Sequence, residues 1–332
     1  MKKESSHDSV QHRPVTLAGG AAPLPAAPAR DANSLPTKGR EEVRVAGASA
    51  ERRGQADGRA PLGEPSAGAP EGRRPRSAAF ATDTIRRHMS WWESWFGEEY
   101  LDLYPHRDVE SARREAAFAL AHLPSQPNPL LDLCCGSGRH SIPLAEAGSP
   151  SVGLDYSAPL LDLARQRDRH LALVRGDMRA LPFRDGAFRT VVNFFTSFGY
   201  FLTEAENTSV VAEIERVLQG GGSFLCDTFC RDHVLARLVA EERRCCGEKE
   251  YRIRRTWNAS TARLEKEIEV RRAGSAEIFR ESVRAYAADE LVALLEGAGL
   301  RVEKVWGDFD ETPAGPDSPR LIVLARKPEK PS

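Results

Sequence analysis

The stretch Pro129-Leu-Leu-Asp132-Leu-Cys-Cys-Gly136-Ser-Gly138-Arg-His140 decides the fold. It runs from a short apolar segment through a glycine turn into a helix-like pattern over residues 140–147, which is the grammar of strand, tight turn and helix. The unit recurs. Residues 151–155 are apolar and end on Asp155 ahead of a helical stretch over 158–167, and residues 171–176 form another short apolar strand. Three such units in series predict a parallel sheet with helices on both faces. A fourth strand is expected over 190–195, its unbroken apolar run implying burial on both sides. A fifth is expected over 222–227, reached through a helix over 204–218 that the Gly220-Gly221-Gly222 run stops.

Working outward, residues 90–123 read as helical. Trp92, Trp95 and Phe96 share one side, and Val109, Ala112, Ala116, Leu120 and Leu123 are spaced for one face before Pro124 and Pro127. Beyond the fifth strand the period changes to two: Tyr251, Ile253 and Trp257, then Leu264, Ile268 and Val270, then Phe279, Val283 and Ala285. That alternation predicts an antiparallel insertion over 245–287 with one face solvated. A helix over 289–297 and strands over 301–306 and 320–327 then complete the main sheet.

Residues 1–80 contrast with this. They hold nine Pro, nine Gly and a single aromatic residue, Phe80, among 13 Lys/Arg and 9 Asp/Glu. So little apolar surface does not offset chain entropy, and residues 1–88 are expected to be disordered. Met89 stands where the aromatic residues begin, so those 88 residues are expected to be an upstream extension or a dispensable leader. No run approaches the roughly 18–20 apolar residues of a spanning helix, so a soluble, unexported chain with no membrane partner is expected. The net charge of −1 offers no field for nucleic acid. The six cysteines, Cys134, Cys135, Cys226, Cys230, Cys245 and Cys246, have no zinc-ligand spacing; no metal site is expected, and free thiols in a reducing cytoplasm are. Cys245-Cys246 reads as the approach to a strand.

In doubly wound sheets ligands bind beyond the carboxyl ends of the strands, so those ends are read together. Gly136 and Gly138 let backbone pass close to a ligand, Asp155 is placed to accept from ribose hydroxyls, and Asp177 with Met178 is placed to meet an adenine ring. Asp132, Gly136 and Gly138, with Leu154-Asp155-Tyr156-Ser157, Gly176-Asp177-Met178 and Ser197-Phe198-Gly199-Tyr200, resemble class I S-adenosylmethionine-dependent methyltransferases over about residues 90–328. Cys134 stands where that family's first glycine is expected, which implies a tighter pocket if its backbone angles are ordinary.

The resemblance implies an α/β fold, a doubly wound, seven-stranded Rossmann-like sheet whose last strand is antiparallel. It divides the chain into a helical lid (89–128), a cofactor-binding core (129–230), the 245–287 insertion as a substrate roof and a C-terminal part (288–328). The cofactor implied is S-adenosylmethionine, held by Asp132, Cys134, Gly136, Gly138, Asp155, Tyr156, Asp177, Met178 and Asn193. The flanks are similar to bacterial small-molecule methyltransferases such as sugar N-methyltransferases. They imply Tyr100 and Tyr104 over the methionine end and Arg107 on its carboxylate. The acceptor implied is a small amine or hydroxyl, with Tyr200, His106 and Tyr286 as candidates to take its proton; His140 reads as structural. Rivals are a dinucleotide-dependent oxidoreductase, in which Ser141 falls on the third glycine position and Asp177 has no task, and a methyltransferase of nucleic acid or protein. A further rival is a noncatalytic binding module. The oligomeric state stays open.

Overall fold

The computed structural model describes residues 90–104 and 109–329. The expected N-terminal extension, Met89, His106 and Arg107 lie outside them. Parallel strands form where the apolar runs lie: β1 (Leu130–Leu133), β2 (Ser151–Asp155), β3 (Ala172–Arg175), β4 (Phe188–Asn193) and β5 (Leu218–Phe229). With β10 (Arg301–Trp306) and β11 (Arg320–Arg326) they make a seven-stranded sheet in the order β10-β11-β5-β4-β1-β2-β3, in which β11 runs antiparallel to both neighbours.

The alternation of side chains along each strand splits the core between two faces. Leu131, Val191 and Phe224 pack with Val210 and Ile214 of α6 (Glu204–Val217) and Leu291 and Leu295 of α8 (Ala288–Gly297). Their neighbours Leu130, Val192 and Leu225 face the other way, onto Ala116 and Ala119 of α3 (Val109–His122) and Leu144 of α4 (Ser141–Glu146). Each such leucine, fully buried, contributes roughly 1.5–3 kcal/mol. Local signals fix the helix starts. Ser157 Oγ accepts from Leu160 N–H at 3.3 Å to cap α5 (Ala158–Arg167), and Thr203 and Glu206 form a reciprocal capping box at α6.

A second sheet of four antiparallel strands, β6 (Glu241–Cys246), β7 (Lys249–Asn258), β8 (Arg263–Arg272) and β9 (Ser275–Arg284), lies between β5 and α8 in the chain. It begins at Glu241, ahead of the 245 expected, so Cys245-Cys246 closes a strand rather than approaching one. Ahead of it lies a short helix not anticipated, α7 (Arg231–Ala236). At the other end of the described chain, the first aromatic segment is broken at Gly97 into α1 (Trp91–Trp95) and α2 (Glu98–Leu103). Both pack on the antiparallel sheet, where Trp95 and Leu103 share a core with Tyr251, Ile268 and Phe279. The Gly220–Gly222 run is not a helix stop. The helix ends at Val217, β5 starts at once, and Gly221 at φ +72° lies where the β4–β5 register shifts.

Candidate active site

The carboxyl ends of β1 to β4 open on one side of the sheet, and residues that follow each of them line a cleft covered by α1 and α2. Gly136 and Gly138 both lie at positive φ, +56° and +76°. A Cβ on Gly138 would stand 2.9 Å from Leu171 Cδ1 and 3.3 Å from Ala164 Cβ, so glycine lets α5 close onto the turn. Asp155 Oδ2 accepts from Gly136 N–H at 2.8 Å, and Oδ1 accepts from Ser157 N–H at 2.8 Å. A carboxylate has about four acceptor sites, so capacity for two hydroxyl donors remains. Burial raises the Asp155 pKa, with the backbone donors acting against that rise.

Asp177 lines the same cleft, but its carboxylate is forked by Arg179, with Nη2 to Oδ2 at 2.7 Å. Arg179 continues to Glu206 at 2.6 Å and stacks on Phe201 at 4.3 Å. Burial acts to raise the Asp177 pKa, but its bonds to Arg179 prevail and hold it below the ordinary value. Met178 is buried beside it, with Sδ 3.6 Å from Cys134 Sγ. Cys134 does not have ordinary angles: its φ is +63°, the left-handed region that glycine would take without strain. Asp132 lies beneath the turn, 1% exposed, accepting from Ser141 Oγ at 2.6 Å, and burial pushes its pKa up to about 6. Asn193 is also buried and does not line the cleft. Its Nδ2 donates to Leu133 O at 2.8 Å, joining the ends of β1 and β4.

Beside the cleft, under the antiparallel sheet, is a chamber of about 430 Å³. Phe96, Tyr100 and Tyr200 line both spaces. The Tyr200 ring stacks on Phe96 at 5.6 Å, and its carbonyl accepts from Trp91 Nε1 at 3.3 Å and from the buried Arg263 at 3.1 Å. At the chamber wall Glu281 Oε1 accepts from Trp95 Nε1 at 2.5 Å and from Tyr104 Oη at 3.1 Å, while Oε2 pairs with Lys266 at 2.6 Å. Its floor is the end of β4. There Phe195 and Thr196 both take positive φ, +61° and +58°, unusual for a bulky and a β-branched residue. Asp227 holds them, its carboxylate accepting from Phe195 N–H and its carbonyl from Thr196 N–H, each at 2.9 Å. Arg320 Nε donates to Asp227 at 2.7 Å and lies over the Phe195 ring.

Comparison with known proteins bears on this geometry. The family described as methyltransferase domain matches residues 130–222. Demethylmenaquinone methyltransferase of Lactiplantibacillus plantarum is 37% identical over 124 residues, 34% of this chain and 49% of that protein, so the chain spans about half the length of that relative. A dTDP-3-amino-3,4,6-trideoxy-alpha-D-glucopyranose N,N-dimethyltransferase of Streptomyces venezuelae is 30% identical over 198 residues, 55% of this chain and 79% of that protein. The chain belongs to the class I S-adenosylmethionine-dependent methyltransferases. The CcbJ methyltransferase from Streptomyces caelestis shares the fold, with a TM-score of 0.58 at 21% identity over 65% of this chain and 89% of that one.

Within this methyltransferase the remaining expected residues fall in three places. Tyr156 Oη donates to Glu93 of α1 at 3.0 Å, and Tyr100 forms part of the wall between cleft and chamber. Tyr104 is bonded to Glu281 and Lys266 of the antiparallel sheet and, with Tyr100, also lines a space beside the turn at Cys134, Gly136 and Ser137. Tyr286 must be withdrawn as a proton acceptor. It is 4% exposed, packs on Phe198 and donates to Glu204 at 2.9 Å, lining neither cleft nor chamber. His140 stacks on Phe194 at 4.0 Å and faces Glu115 at 2.5 Å, and burial lowers its pKa to about 4 against the pull of that carboxylate. Among the described residues no helix is long and apolar enough to cross a membrane.

Sequence reasoning missed Lys266, Glu281 and Arg255 at the chamber. The signal was present: Lys266 shares parity with Leu264 and Ile268, Glu281 with Phe279 and Val283, and Arg255 with Ile253 and Trp257. Charges at inward positions of an alternating strand break the pattern where a site interrupts the core.

Proposed function

We propose that this chain transfers a methyl group from S-adenosylmethionine to a small-molecule amine or hydroxyl held in the chamber. The observation that carries the reading is the shared wall of Phe96, Tyr100 and Tyr200, which leaves the cleft and the chamber side by side. Asp155 has the acceptor capacity for the two ribose hydroxyls, and the Gly136–Gly138 turn admits close backbone approach. Asp177 and Met178 are assigned to the adenine side, and Arg107 and His106 remain proposals for the methionine carboxylate and the proton. When bound, S-adenosylmethionine supplies an electrophilic methyl carbon on a sulfonium leaving group. The protein's task is then positioning, which can supply roughly 7–11 kcal/mol of the barrier. The faces of Tyr100 and Tyr200 suit a cation at the wall, and α1 and α2 exclude water. Tyr200 is the remaining described candidate to take a proton from the acceptor. We also propose a reducing cytoplasmic setting, which would keep the six unbridged thiols as they are.

The test is incubation with S-adenosylmethionine labelled in the methyl group and a library of small amines and phenols, with NAD-dependent reduction assayed in parallel. Label transferred to a small molecule supports the reading. Hydride transfer with NAD and no methyl transfer overturns it.

A further inference from the structure

The roof sheet carries a row of charges on the face that its hydrophobic pattern reserves for the core. Arg255 on β7 pairs across the strands with Lys266 on β8, and Lys266 pairs with Glu281 on β9. The neighbours of the same parity, Ile253, Leu264, Ile268, Phe279 and Val283, are all buried. Placing ammonium and guanidinium groups in such a row costs stability unless they are used. All three side chains line the chamber.

Each cation of the chamber lining has a carboxylate partner, and the donor left over is on Lys266. The lining holds four cationic side chains, Arg237, Arg255, Lys266 and Arg320, against two carboxylates, Glu242 and Glu281. Each carboxylate is already engaged, Glu242 by Arg255 at 2.7 Å and Glu281 by Lys266 at 2.6 Å. Arg320 is neutralised by the fully buried Asp227, and Arg237 lies 3.8 Å from Asp317. The Lys266 side chain is only 20% exposed, and an ammonium has three N–H donors. Among the described residues two of them are spent, on Glu281 and on Tyr104 Oη at 3.1 Å. The third has no partner there. The same chamber is lined by aromatic and aliphatic surfaces from Trp91, Tyr200, Phe229 and Leu264.

We infer that the methyl acceptor carries an anionic oxygen group, a carboxylate or a phosphate, on an apolar ring-sized body, and that Lys266, assisted by Arg255, binds that group. The inference rests on the proposed methyl transfer and deepens it by naming the acceptor's charge. Lys266 acts here as a point donor, and the Glu281 carboxylate keeps it charged and aimed.

The experiment titrates the full-length protein, saturated with S-adenosylhomocysteine, with three probes that share a phenyl ring: phenylacetate, phenyl phosphate and phenethylamine. At least one anion is expected to bind about tenfold or more tighter than the amine, and the stronger anion tells carboxylate from phosphate. Lys266→Met alone would leave Glu281 buried and unpaired, so the double variant Lys266→Met/Glu281→Gln is used instead. It is expected to lose the preference. An amine that binds as well as the anions, no binding by any probe, or a preference that survives in the double variant overturns the inference. A protein that fails to bind S-adenosylhomocysteine at all overturns the methyltransferase reading instead.

Discussion

Cys134 occupies a backbone conformation that costs an L-residue roughly 1–2 kcal/mol. Alanine normally stabilises relative to glycine by limiting the unfolded chain, and at this position the order should reverse. Cys134→Gly is therefore expected to be about 1 kcal/mol more stable than Cys134→Ala in urea unfolding, and the opposite order would contradict the left-handed turn. Beneath the same turn, Asp132 has a folded pKa of about 6 against an ordinary 3.8, so the folded state binds more protons between those values. That contribution makes stability fall as pH rises from about 4 to about 6, by about 3 kcal/mol in order of magnitude. His140 opposes it: with a folded pKa of about 4 against 6.5, it binds fewer protons when folded and makes stability rise across the same window. Asp132→Asn should unmask the rise, gaining about 3 kcal/mol in unfolding free energy between about pH 4 and about pH 6.5 relative to the native chain. Parallel pH profiles would contradict the buried carboxylate.

The end of β4 shows how one element is forced by others. No glycine stands at Phe195 or Thr196, and their left-handed angles are imposed from β5 through Asp227 and from β11 through Arg320. Removing one partner of a buried ion pair leaves an uncompensated charge, so Arg320→Ala is expected to cost about 3–5 kcal/mol in urea unfolding. A loss under about 1 kcal/mol, the scale of a surface pair, would contradict that support role. This strain could not be read from the sequence, because its cause lies in residues more than thirty positions away. The parallel strands were legible for the opposite reason. Leu130-Leu131 and Val191-Val192 are apolar at consecutive positions because helices cover both faces, a purely local signature. The turn at Gly136 and the acids at Asp155 and Asp177 were legible from their place at strand ends, whereas the Arg179 fork on Asp177 depends on a side chain two residues on that spacing alone does not aim.

Across the whole described chain, the cleft is finished by parts far apart in sequence. Ser157 Oγ donates to Phe96 O at 2.7 Å and Arg263 donates to Phe201 O at 2.7 Å, so α1 and the antiparallel sheet are both fastened to the rim of the main sheet. Trp95 is central to that fastening, 1% exposed, 5.1 Å from the Phe279 ring and bonded to Glu281. Truncating it should cost about 3–5 kcal/mol, read as a fall in urea midpoint for Trp95→Ala; a change within about 0.5 kcal/mol would mean the helices are not packed there. Alternation of apolar residues foretold the antiparallel sheet, and parity puts Arg255, Lys266 and Glu281 on its inward side, but that the three stand in one row across the strands is fixed only by the register. The most direct measurement of the account is a calorimetric titration of S-adenosylhomocysteine into the native chain and into Asp155→Ala. Saturable one-to-one binding, weakened about 100-fold or more by the substitution as two charge-assisted hydrogen bonds are lost, is the predicted result. No heat of binding to the native chain, or equal affinity in both, would contradict it.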